Sequence, residues 1–199
     1  MNFLAHIHLS QKDSDEMIGN FLGDFVKAGQ EKYYPPGIKR GIFIHRKIDS
    51  FTDSHPVFKR SCDRFPKLLR RYNRIAVDIF YDHFLAKNFQ QYNNSNLEQF
   101  IDYFYSHLLT KDFKKPPRLE KVFPYITDKN WFLSYQEKDY IQKVLFRMSN
   151  RFKRKNQLAE CFYVFDSEYE NFEKDFIEFY PQLQNFVEDI RHKKLDNWK

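Results

Sequence analysis

Glycine and proline are scarce in this chain, five and eight among 199 residues. So few breakers leave little material for the tight turns that separate the short strands of a sandwich or barrel. No segment alternates apolar and polar residues over a strand length, so helices joined by short loops fit better. Cysteine occurs only at Cys62 and Cys161, with no C-x-x-C spacing. That pattern excludes a disulfide scaffold and leaves free thiols in a reducing cytoplasm as the simplest account. No run approaches the ~20 apolar residues of a membrane span. The opening MNFLAHIHLS lacks the basic-then-apolar order of a secretory signal. A cytoplasmic protein without a membrane partner is expected.

What is present is globular in character, 42% hydrophobic and 30% charged. The length suits one domain, residues 1–199, with a real core. Phe (23) and Tyr (13) dominate the aromatics and read as core filler. The formal charge of +6 raises encounter rates with acidic partners and says nothing about fold. On charge alone nucleic acid, anionic lipid and an acidic protein all remain open.

The fold class read from periodicity is all-α, a helical bundle. Asp13 to Glu16 resembles a capping box, and Met17, Ile18, Phe21, Leu22, Phe25 and Val26 repeat at helical spacing up to a stop at Gly29. Pro35-Pro36-Gly37 opens a second helix that runs to about Phe51. Residues 57–74 are helical with an interruption and restart at Pro66. Further helices are expected over 75–89, 97–109 and 137–149. A long one over 157–180 is expected to end at Pro181, followed by a short one over 183–193.

The informative signal is polar residues where the core should be. On a wheel of 100° per residue, Ile38 and Ile42 define the inner face of their helix, and His45 and Asp49 lie within ~20° of it. Asp78 and Asp82 fall on the face of Ile75, Ile79, Ala86 and Phe89, with His83 about 100° from Asp82. Asp24 sits at the edge of the Phe21/Phe25 stripe. Gly19 and Gly23, one turn apart, leave room for a helix to come close. His6 and His8 share a face only if their segment is extended. Buried carboxylates need partners or a cation, and imidazoles mixed with carboxylates suit Mn²⁺, Fe²⁺ or Zn²⁺ better than Ca²⁺. A divalent ion lowers the pKa of a coordinated water and neutralises a phosphoryl oxygen, the two needs of phosphodiester hydrolysis. His107, His192, Asp53 and His55 read as local or incidental.

A basic stripe follows if 57–74 stays helical: Arg60, Arg64, Lys67, Arg71 and Arg74 share one arc. Such a stripe beside a metal site suits an acidic macromolecular substrate. Nucleic acid would use it for phosphate contacts, but there is no RNP, KH, helix-turn-helix or zinc-finger signature, and no nucleic acid is expected.

At these residues the sequence resembles the acyl carrier protein phosphodiesterase family. The resemblance is carried by NFLAHIHLS (2–10), GNFLGDFVKAG (19–29), PPGIKRGIFIHRKIDSFTDSHP (35–56) and DIFYDHFLAKNF (78–89), with recognisable order beyond. It implies an all-helical fold related to the HD phosphohydrolases with permuted element order, and a metal site drawn mainly from residues 1–90. It also implies Mn²⁺-dependent (or Mg²⁺- or Fe²⁺-dependent) release of 4′-phosphopantetheine from the serine of an acyl carrier protein, an acidic partner. Asp24, His45, Asp82 and His83 are then the expected metal ligands. Asp49, Asp78 and His6 are expected in catalytic or orienting roles. Arg46, Arg60, Arg64, Lys67 and Arg71 are expected to bind substrate. The rivals are an HD-type nucleotide phosphohydrolase and a non-catalytic basic binding module. The family commonly places Trp where Phe89 stands, and SNRFKRK (149–155) is more basic than its pattern.

Overall fold

In a computed structural model, residues 2–10, 14–126 and 130–194 are described, and every regular element among them is helical. Asp13, the expected cap of the first long helix, lies outside them. The α-helices are α1 (Phe3–His8), α2 (Ser14–Leu22), α3 (Pro36–Ser54), α4 (Pro56–Asp63), α5 (Asn73–Lys87) and α6 (Leu97–Thr110). They continue as α7 (Pro117–Ile126), α8 (Asn130–Leu133), α9 (Lys138–Ser149), α10 (Cys161–Ser167) and α11 (Tyr169–Lys194), with single 3₁₀ turns between several. Among the described residues no helix is long and apolar enough to cross a membrane.

Local chemistry explains the starts. Pro36 opens α3 at a position that needs no backbone N–H. His55 accepts from the Val57 amide at 3.3 Å and so caps α4. Asn96 and Gln99 form a reciprocal capping box on α6.

Four expected boundaries are corrected. α2 stops at Leu22 rather than at Gly29, because the chain turns at Gly23 and Asp24; Gly29 instead takes a left-handed φ of 85° further on. The 57–74 segment is not one helix, since after Pro66 there is only a 3₁₀ turn, Lys67–Leu69, before α5. The 157–180 helix divides at Glu168, which leaves helical geometry (φ −111°, ψ 17°). Pro181 does not end its helix, and α11 runs through it to Lys194, absorbing the separate helix expected over 183–193. Pro181 is solvent-exposed, so water can take over the carbonyl it leaves without a donor.

The aromatics fill the core as composition suggests. Phe80 stacks on Phe165 at 4.1 Å, and Phe84, Phe172, Phe176 and Phe179 of the surrounding helices are wholly buried. Each such ring removed from water contributes roughly 1.5–3 kcal/mol. A second device sets the distance between α2 and α3. A methyl group on Gly19 would lie 2.0 Å from the Ile38 carbonyl oxygen, and one on Gly41 would lie 2.2 Å from that of Glu16. Backbone therefore packs on backbone, with no side chain between. This close crossing builds the site.

Candidate metal centre

α3 is pressed so tightly against α2 that His45 reaches the end of its neighbour. Because α2 stops at Leu22, the Asn20 carbonyl accepts only a long 3.3 Å bond from the Gly23 amide, and His45 Nδ1 donates to it at 2.8 Å. A methyl on Gly23 would occupy the place of the His45 ring, so the small residue is required there. α1 brings His6 against the same ring, the two imidazoles stacking at 3.9 Å with a 20° tilt. His6 Nδ1 lies 3.0 Å from the Asn20 side-chain oxygen. Ser10 fixes that amide. Its hydroxyl donates to the His6 carbonyl, so its oxygen accepts from Asn20 Nδ2 at 3.1 Å, which turns Oδ1 toward His6.

One buried residue, Asn20, thus holds both rings through its two oxygens. With both Nδ1 atoms protonated, each ring presents Nε2 to the same carboxylate. His6 Nε2 lies 3.2 Å from Asp49 Oδ1, and His45 Nε2 lies 3.2 Å from Asp49 Oδ2. Asp24 Oδ1 stands 3.7 Å from His45 Nε2. The histidines are buried, whereas the Asp24 and Asp49 side chains are 50% and 44% exposed, which opens the cluster to solvent on their side.

Electrostatics follow from this placement. Burial alone would lower the His45 pKa, but the Asp24 and Asp49 carboxylates outweigh it and raise it to about 9. His6 falls to about 4, through burial and the neighbouring His45 charge, against the opposing bond to Asp49. Although partial burial works the other way, the two imidazoles hold Asp49 well below the usual carboxylate range, and His45 lowers Asp24. A neutral imidazole with its lone pair facing a carboxylate is an arrangement that a cation relieves. Histidines whose Nδ1 is fixed by a hydrogen bond while Nε2 turns toward carboxylates are a usual feature of metal sites. The ligand atoms of His6, His45 and Asp49 lie within 4.8 Å of one another. The donor set fits a divalent ion.

The structure gives the other expected ligands different partners. Asp82 is buried and accepts from the Leu4 and Ala5 amides at 2.8 and 3.1 Å, capping the N-terminus of α1 from a distant part of the chain. Its pKa rises to about 7 because burial outweighs those two bonds. His83 is engaged at both nitrogens, by the Tyr135 carbonyl at 2.8 Å and the Tyr169 hydroxyl at 2.7 Å, and burial lowers it to about 4. The Asp78 carboxyl is enclosed within electrostatic reach of Asp49 and Asp53, and burial raises it. His8 turns away from His6, to the Tyr180 hydroxyl and the Tyr92 carbonyl.

Arg46 pairs with Glu31 at 3.2 Å. Arg60 and Arg64 are held by Asp175, at 2.7 and 3.0 Å, and by Glu178 and Glu168. Lys67 and Arg71 are exposed, on a turn rather than on a shared helical stripe. Asn20 is the residue that sequence reasoning missed. Its signal was its place one turn before Asp24 in GNFLGD, on the edge of an apolar stripe.

Two half-exposed carboxylates beside two buried, oriented imidazoles form a group that could hold a metal ion. Comparison with known proteins agrees. The family model for acyl carrier protein phosphodiesterase matches residues 1–183. Proteins named acyl carrier protein phosphodiesterase from Salmonella agona (strain SL483) and Salmonella newport (strain SL254) are each 35% identical over 184 residues, covering 92% of this chain and 95% of theirs. No solved structure matches. The chain belongs to the acyl carrier protein phosphodiesterase family.

Proposed function

We propose that this protein is a phosphoric diester hydrolase that cleaves the bond joining 4′-phosphopantetheine to the serine of holo-acyl carrier protein, releasing apo-carrier protein. The observation that carries this reading is the pair of Nε2 atoms, one from each stacked histidine, aimed at the two oxygens of Asp49. His6, His45 and Asp49, with Asp24 at the mouth, would hold one divalent cation. The mixed nitrogen and oxygen donors suit a transition-metal ion such as Mn²⁺, Fe²⁺ or Zn²⁺, and the family resemblance points to Mn²⁺, with Fe²⁺ or Mg²⁺ as alternatives. Such an ion supplies a more acidic water and charge neutralisation at the phosphoryl group.

The chain's own groups do the rest. Asn20 orients both rings. Asp82 anchors the short helix that carries His6. Asp78, with a raised affinity for its proton and within electrostatic reach of Asp49, is suited to hold the proton released by hydrolysis. On this reading the ligands come from α1, α3 and the turn that follows α2, within the first 90 residues of a chain that works as one unit. We read the helix-borne His/Asp set as that of a permuted relative of the HD phosphohydrolases. Both cysteines are free and buried, which suits a reducing cytoplasm.

The test is incubation with holo-acyl carrier protein and Mn²⁺, followed by mass spectrometry. The expected result is a carrier lighter by one phosphopantetheinyl group, with no phosphate released from nucleotides. An unchanged carrier mass in the presence of folded, Mn²⁺-loaded protein overturns the assignment.

A further inference from the structure

Two loops without a single acidic residue meet beside the mouth of the site. No Asp or Glu stands between Arg64 and Arg74, or between Phe146 and Gln157. The first loop exposes Lys67, Arg70 and Arg71, and the second exposes Arg151, Lys153, Arg154 and Lys155. Among the described residues none of these seven takes part in an ion pair, in contrast to Arg60, Arg64 and Arg74. The loops touch through Tyr72 and Phe152, whose rings lie 6.5 Å apart edge to face. Arg74, at the root of the first loop, is bonded to Asp53, one helical turn beyond Asp49 on α3. The cationic ground therefore begins one turn from the solvent-open carboxylates.

Apolar surface lies within it. Leu68 is 68% exposed and Phe152 45%. Cations around a few exposed apolar anchors form a surface for a protein partner, with charge guiding approach and the anchors taking the contact. A polyanionic strand laid across the same ground would run onto Asp24, Asp49 and Asp53, which disfavours nucleic acid.

We propose that these two loops, Lys67–Arg71 and Arg151–Lys155, form the dock for an acidic protein, the carrier whose modified serine must reach the Asp24/Asp49 mouth. The inference rests on the function proposed above and adds where the substrate protein sits. It also divides the expected basic residues. Lys67 and Arg71 face the partner, while Arg60 and Arg64 are engaged by Asp175, Glu178 and Glu168 of the same chain.

The experiment compares the wild type with R151E/K153E/K155E, and with K39E/K121E/K174E, which carries the same net charge with its changes on three other helices. Steady-state kinetics on holo-acyl carrier protein would be measured with Mn²⁺ across a salt series, and the Kd for apo-carrier protein would be measured separately. The loop variant is expected to raise KM and Kd about ten- to a hundredfold, to leave kcat within about threefold, and to lose most of the salt dependence. The control variant is expected to change KM by less than about threefold. Equal effects of the two variants, an unmoved KM in the loop variant, or a loss confined to kcat overturns the dock. So does tighter loop-dependent binding of a single-stranded oligonucleotide than of the carrier. Wild-type protein that binds the carrier through these loops without cleaving it overturns the proposed activity and leaves the dock standing. Cleavage with a charge-insensitive KM does the reverse.

Discussion

Two clusters in this molecule set carboxylates against cationic or cation-ready groups, and they are built to opposite ends. Around Asp175, buried on α11, every acceptor is occupied by a fixed donor. Arg60 Nε takes one oxygen at 2.7 Å, and Ser61 Oγ and Arg64 Nε take the other at 2.7 and 3.0 Å. Around Asp49 the carboxylate is open to water and faces two ring nitrogens whose other sides are already held. A closed network resists replacement of its members and fixes helices. An open one, in which the neutral His6 ring turns Nε2 toward a half-exposed carboxylate, is an arrangement that a cation can enter. Residue type alone does not separate the two; the direction of the remaining valence does.

The sharpest way to break this contrast is to neutralise each acid in turn. Asp49→Asn is expected to cut carrier hydrolysis by about 10³-fold or more and to weaken Mn²⁺ binding, with the melting temperature of the metal-free protein little changed. Parallel activity assays and metal titration would show it. Asp175→Asn is expected to do the opposite. It leaves two arginines short of a counter-charge and costs roughly 3 kcal/mol, the lower end for a buried network because Arg60 is half in water. Denaturant unfolding should report that loss, while kcat/KM below the transition stays near wild type. An Asp175→Asn protein that melts normally but is inactive would reverse the two roles.

A pH series extends the comparison to a histidine outside both clusters. His8 is buried and neutral, lowered to about 4 from 6.5, mainly by burial. The folded form resists the proton that the unfolded chain accepts. This contribution to stability is therefore complete above pH 6.5 and is lost as pH falls from there toward about 4. The loss attached to this one residue is on the order of 3 kcal/mol. His8→Gln should flatten that part of the stability–pH curve, as measured by urea unfolding at several pH values.

The smallest effect tests the orienting residue. Asn20→Leu is expected to weaken Mn²⁺ binding about ten- to a hundredfold, whereas Asn20→Asp, which keeps an acceptor for His6, should hold it near wild type. Ser10→Ala separates orientation from simple helix tying, because it removes the other end of the amide and leaves the His6 bond in place. Nitrogen NMR of the His6 ring would show the Nδ1–H tautomer in wild type and a mixture in the leucine variant. Equal losses in all three variants would reduce Asn20 to a packing residue.

Much of this was legible in the sequence. The helix wheel put His45 with Asp49, noted Asp24 at the stripe edge, and saw that Gly19 and Gly23 leave room for a close neighbour. Those judgements needed only local periodicity. The same wheel placed Asp82 inward, and it is inward, but a wheel gives direction and not partner. Only the fold shows two α1 amides waiting for it. His83 likewise meets a carbonyl 52 residues away, beyond any local pattern. Pro66 and Pro181 behaved differently for a reason of environment. One precedes a short 3₁₀ turn, and the other turns its ring to water inside a helix anchored before it by buried Phe176, Phe179 and Tyr180 and after it by buried Leu183 and Val187.

The Asp82 cap has a temporal consequence. α1 is six residues long, far below the length at which a helix stands alone in water, and the group that secures its first turn is 78 positions downstream. His6 therefore leaves the ribosome well before the residue that anchors its helix, and its bearing is not set until α5 has been synthesised and packed. A nascent chain of this protein should acquire its affinity for metal abruptly and late, when α1 is finally clasped by α5.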